Sequence, residues 1–199
     1  MLLRNKPNSN SIARHRAAHA PLPRKNRLAR AVAMACLSTS LMLPAHEAQA
    51  ATTNWTAGTA DWFTPGNWDN GVPTNVDTAS ITNGGTAQIA SGGSASGDQV
   101  QLGGTSGGTL SITDGSLTTL DTLEIGRSSG VGTVTLDGAD ASIVSGGTFL
   151  RVGGTGTGSL TISNGASMSA NTSVFVVGET GSGNVIVEGA DSTFSSPSL

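Results

Sequence analysis

The chain has 199 residues, with glycine at 28 positions, aromatic residues at only 4% and a formal net charge of −3. Eight of the ten Lys and Arg residues, all three histidines and the single cysteine lie in the first fifty positions, which leaves residues 51–199 with two arginines against twelve acids, a formal −10. Nucleic acid and anionic membrane surfaces are poor partners for such a chain, and the lack of His, Lys and Cys removes the commonest general base, the commonest metal ligand and any disulfide.

Residues 1–50 read as an export leader. A basic stretch from Arg4 to Arg30 precedes an apolar run over residues 31–44 and a small-residue end, Ala48-Gln49-Ala50. This order predicts a secretory signal cut between Ala50 and Ala51, with the Sec export machinery as its partner. An Arg-rich tail for nucleic acid would not be followed directly by an apolar run and a processing site. The run is too short, and too interrupted by Ser38, Thr39 and Ser40, for a membrane-spanning helix. Cys36 stands near the start of the run, so it reads as part of the leader and not as a lipid attachment point.

Residues 51–81 concentrate the aromatics: Trp55, Trp62, Phe63 and Trp68. They fit either an exposed platform for sugar rings, built on Trp55, Trp62 and Trp68, or a cap that closes the end of a stacked fold. The buried area that bulky rings contribute favours the cap. Pro65-Gly66, Asn70-Gly71 and Val72-Pro73 mark turns within it.

Residues 82–199 are repetitive. A looser stretch over residues 81–98 carries Ile81-Thr82-Asn83-Gly84, an echo of the later Ile112-Thr113-Asp114-Gly115, and reads as a degenerate first coil. Four clearer units follow, aligned on Gly103, Gly126, Gly153 and Gly178 at steps of 23, 27 and 25 residues. In each unit apolar residues alternate with polar ones, as Leu110 and Ile112 flank Ser111 and Leu123 and Ile125 flank Glu124. Period two means strands with one dry face. Asp114, Asp137, Asn164 and Glu188 each precede a glycine, the signature of a corner that needs positive φ. A third short run follows each corner and carries Leu117 and Leu120, Ile143, Met168 and Phe194. One unit buries about six apolar side chains at roughly 2 kcal/mol each, less than the ordering entropy of its backbone, so units must stack. The prediction is an all-β chain, a parallel β-helix or solenoid of about 25-residue coils behind a Trp-rich N-terminal cap. A hairpin sandwich is the alternative, because Asp-Gly and Asn-Gly also form hairpin turns.

Asn67-Trp68, Gly71-Val72-Pro73 and Asp77-Thr78-Ala79, followed by the Gly-x-Leu-x-Ile and Gly-x-Val-x-Val units, resemble the passenger region of bacterial type V autotransporters, with the repeat shared by autotransporters and PEP-CTERM surface proteins. The resemblance spans residues 54–199 and implies a right-handed β-helix stalk at the cell surface, exported and then held by a C-terminal outer-membrane barrel. No barrel-like run of spanning strands and no Pro-Glu-Pro sorting tail are present in these 199 residues. The last repeat, ending at Ser-Pro-Ser-Leu199, shows no cap, which reads as an open C-terminal end and makes a truncated fragment another alternative.

The sequence offers little for catalysis. Asp114, Asp121, Asp137, Asp140, Glu179, Glu188 and Asp191 mostly occupy corner or loop positions that recur from coil to coil, as turn chemistry requires and a single active site does not. A lyase-like charge stabiliser would have to be Arg127 or Arg151. Residues 153–160 approach a calcium β-roll repeat, but Gly158 occupies its aspartate position. No phosphate-binding glycine loop is present, so no catalytic, cofactor or metal residue is assigned. Ser and Thr ladders on outer faces suit sugars or ice as well as plain solvation. The expectation is a non-enzymatic, exported segment at the cell surface or beyond it, in adhesion to an unidentified surface ligand or a host or matrix glycan. A carbohydrate-binding or polysaccharide-degrading β-helix is the alternative.

Overall fold

The structure, a computed structural model, describes residues 49–197, so the export leader expected over residues 1–50 lies outside the described residues apart from positions 49 and 50. Eleven strands form in chain order: β1 (Thr52–Asn54), β2 (Thr59–Asp61), β3 (Thr78–Ile81), β4 (Thr86–Gly103), β5 (Gly108–Arg127), β6 (Val131–Asp137), β7 (Ala141–Val152), β8 (Thr157–Ser163), β9 (Ser167–Val177), β10 (Ser182–Val187) and β11 (Thr193–Ser195). A single 3-10 turn, Pro65–Asn67, interrupts them, and no helix among the described residues is long and apolar enough to cross a membrane.

All strand pairs are parallel. Hairpins would have given antiparallel pairs, so the sandwich alternative is excluded. The chain is a β-solenoid of about six turns, roughly 25 residues apart. Each full coil has three faces. In the coil built by β5, residues 109–112 lie on the first face, 116–119 on the second and 122–125 on the third. Register then stacks like on like, as Leu110 pairs with Val134, Val134 with Leu160 and Leu160 with Val185.

Alternation fills the interior. Leu110, Ile112, Leu117, Leu123, Ile125, Leu136, Leu150 and Ile162 are all fully buried. Thr119 and Ser145 also point inward and satisfy each other through a 3.1 Å hydroxyl hydrogen bond. The corners behave as expected, with φ of +125° at Gly115, +106° at Gly138, +86° at Gly165 and +81° at Gly189.

Local expectations meet the structure in three places. Leu120 is 48% exposed, because period two on the second face sends Leu117 and Thr119 inward and leaves residue 120 at the outer corner. The stretch over residues 81–98 is a degenerate coil as expected: β4 pairs with β5 through register irregularities after Ile89, Ala90 and Gly97, and Ala87, Ile89 and Ala95 point inward. The third face also begins before residue 82, since β1 pairs with β3 and β3 with residues 99–102.

Candidate functional site

Trp55, Trp62 and Trp68 are 2%, 0% and 4% exposed, so they form the cap and not an exposed sugar platform. Their rings meet edge to face, with Trp68 centred 4.9 Å from Trp55 and 4.8 Å from Trp62. The physical reason lies in the strand ends: Trp62 N–H donates to the Gln88 carbonyl and Trp55 N–H to the Ser80 carbonyl. These bonds draw the segment across the open first coil and turn its rings inward.

The carboxylates hold the frame. Asp69 accepts the Asn54 backbone N–H at 2.7 Å and its side-chain amide at 2.8 Å, and these bonds hold its pKa below the ordinary 3.8. Partial burial pushes the Asp77 carboxyl up, but the Thr74 hydroxyl and N–H and the Ala51 N–H together leave it below 3.8. Asp121 is lowered first by the Thr148 hydroxyl at 2.6 Å, against some desolvation, and further by Thr122 and Gln99. Asp137 accepts from Ser163 and Asn164 of the next coil. The bonds of Asp121 to Thr148 and of Asp137 to Ser163 and Asn164 join one coil to its neighbour.

The functional groups that do gather lie on the third face. Arg127 donates from Nη1 to Gln101 Oε1, while Gln101 donates to Gln99 at 3.0 Å and Gln99 to Asp121 at 3.2 Å. The network runs outward to an open cleft of about 340 Å³ lined by Ser80, Thr82, Gly104, Thr105, Arg127 and Ser128. The Arg127 side chain remains 48% exposed there, with Nε 3.8 Å from Glu124 Oε2. One coil further on, the Arg151 guanidinium carbon lies 3.8 Å above the Phe149 ring centroid. Its Nε stands 3.1 Å from Glu179 Oε2, an ion pair without hydrogen-bond alignment. Among the described residues no group of three or more His, Cys, Asp or Glu could hold a metal ion.

Sequence reasoning singled out Arg127 and Arg151 but missed Gln99, Gln101 and Phe149. The available signal was their outward position between buried neighbours, and it becomes a site only once register sets the coils side by side. Chemically, the third face offers one accessible cation and several amides and hydroxyls, a set suited to hydrogen-bonded recognition. No family model, no curated protein and no solved structure matches this chain.

Proposed function

We propose that this chain is an exported, non-enzymatic β-solenoid segment that works at the cell surface or outside the cell, in the manner of an autotransporter passenger, and presents its lateral faces for adhesion. The observation that supports the reading is how Ala51 is held. Among the described residues, Ala51, which follows the Ala-x-Ala sequence, is the first with hydrogen bonds into the frame: its N–H lies 3.0 Å from Asp77 Oδ1 and its carbonyl accepts from Thr78. Cleavage there would leave a complete first rung and place the new α-ammonium against a carboxylate. The acids support the reading too, since Asp69, Asp77, Asp121 and Asp137 serve inter-coil and turn hydrogen bonds.

Expression of the full chain in a bacterium with an outer membrane, followed by fractionation and N-terminal sequencing, tests the proposal. The expected product is exported and begins at Ala51. An uncleaved chain retained in the cytoplasm overturns it. The cleft beside Arg127 favours carbohydrate binding as a second reading, and glycan-array binding that disappears in Arg127→Gln would support it.

A further inference from the structure

The first face carries a feature that neither the cap nor the third face explains. Register stacks its outward side chains in two straight columns. One runs Thr86, Thr109, Thr133 and Ser159; the other, two residues on, runs Gln88, Ser111, Thr135 and Thr161. Strand geometry sets the rungs about 4.8 Å apart and the two columns about 6.6 Å apart. The result is a rectangular lattice of seven hydroxyls and the Gln88 amide, four rungs deep, on backbone fixed by parallel pairing.

These groups are free to bind. None of the eight side chains has a hydrogen-bond partner among the described residues. On the second face, by contrast, Ser116 donates to Ser94 at 3.2 Å, and on the third the outward polar groups are linked to one another. Neither column carries a charge over these four rungs, although residues 51–199 have a formal −10. The lattice therefore combines unused donors and acceptors, five threonine methyl groups on a fixed spacing and no charge of its own.

The chemistry narrows the occupant. A polyanion would need cations, and a protein interface would need aromatic or Arg anchors; the columns hold neither. Sugar rings favour an aromatic face, and the tryptophans are buried in the cap. Hydroxyls at fixed spacing instead order water in the same pattern. In the liquid, holding each such water costs up to about 2 kcal/mol of entropy, whereas in a crystal that water is already ordered. A stiff array also loses little freedom of its own on docking, and its rungs act together once one has engaged.

We propose that the first face is an ice-binding surface, which docks its hydroxyl lattice onto the ordered water of an ice crystal. The inference does not depend on the passenger reading.

The test uses the purified full chain and two readouts, incorporation into a slowly grown ice hemisphere and inhibition of ice recrystallisation. The wild-type protein is expected to enter the ice. Thr133→Tyr, a protrusion at the centre of the lattice, should raise the inhibiting concentration roughly tenfold or more, while Ser142→Tyr on the second face should leave it unchanged. Circular dichroism confirms that both variants keep their strands. A combined Gln88→Thr, Ser111→Thr, Ser159→Thr variant completes the threonine array and should inhibit more strongly, a gain that misfolding cannot imitate. Exclusion of the wild-type protein from ice overturns the proposal, as does equal activity of wild type and Thr133→Tyr. Retention on microcrystalline cellulose without entry into ice also overturns it, in favour of a polysaccharide surface.

Discussion

The tightest constraints on single residues sit at the corner where the third face of one coil passes into the first face of the next. Gly108, Gly132, Gly158 and Gly183 stack in register at this corner. A Cβ at Gly158 would overlap the Gly153 nitrogen and the Ile125 carbonyl oxygen, both backbone atoms that cannot swing aside. Gly158→Ala should therefore lower stability by about 1–3 kcal/mol, the range of an overpacked interior. Gly58, whose Cβ direction is open, is the control; Gly58→Ala should stay within about 0.5 kcal/mol of wild type by urea denaturation. The aspartates add a pH dependence. Asp69, Asp77 and Asp121 all have folded pKa values below 3.8. A lowered folded pKa means that the unfolded chain takes up protons first, so the stabilisation is complete above the unfolded value near 3.8 and is lost as pH falls through the lower folded values. The melting temperature should be flat near neutrality and fall below about pH 4. Asp121→Asn should blunt that fall; an unchanged slope would show that the Thr148 and Gln99 bonds contribute nothing to it.

At the scale of the element, the Trp cap makes a sharper distinction than burial alone. Trp68 Nε1 donates to the Trp62 carbonyl at 2.8 Å, whereas the buried Trp62 Nε1 has no hydrogen-bond partner. Replacing Trp68 by Phe removes a made hydrogen bond and leaves a buried carbonyl short of a donor, so it should cost about 1–3 kcal/mol beyond the lost ring area. Trp62→Phe loses ring area but no bond and should be the milder change, with thermal denaturation as the check. The same cap shows what the sequence can and cannot tell. Alternation made the faces legible, because Leu110, Ile112, Leu123 and Ile125 each flank one polar residue and all point inward. Cap and platform were not separable, since both need the same three indoles and only the backbone path decides which way they turn. Unequal coils concealed the register. Gly103 aligns with Gly126 by eye, yet it pairs with Arg127 across an irregularity after Leu102. That offset hid the line from Gln99 through Gln101 to Arg127, as well as the straightness of the hydroxyl columns.

Among the described residues, the first and last coils of the solenoid are unlike. Each coil contacts only its neighbours, so stability is close to a sum of coil and interface contributions and need not be uniform. At the first end the three indoles cover the interior. At the other, Val177 and Val187 are 45% and 44% exposed, while the residues stacked beneath them, Val152 and Ile162, are fully buried. Phe175 and Phe194 are only partly buried and meet at 5.1 Å. The pair Arg151–Glu179 links this last coil to the one before it, but an ion pair exposed to solvent contributes at most about 1 kcal/mol. In this 199-residue chain the last described coil therefore has backbone bonds on one side and little apolar cover on the other. Amide hydrogen exchange on the full chain should be fastest in β10 and β11 and slowest in β5 and β7, because opening the end coil exposes little new surface while opening a central one breaks two interfaces. Glu179→Gln should speed exchange in β10 and leave β5 unchanged. Repeating the measurement at two protein concentrations separates the causes of any departure. Protection of β10 that rises with concentration means that copies cover each other's last coil, the pairing expected of an unblocked strand edge. Protection of β10 equal to that of β5 at every concentration would refute the gradient and with it the description of the chain as coils held by nearest neighbours alone.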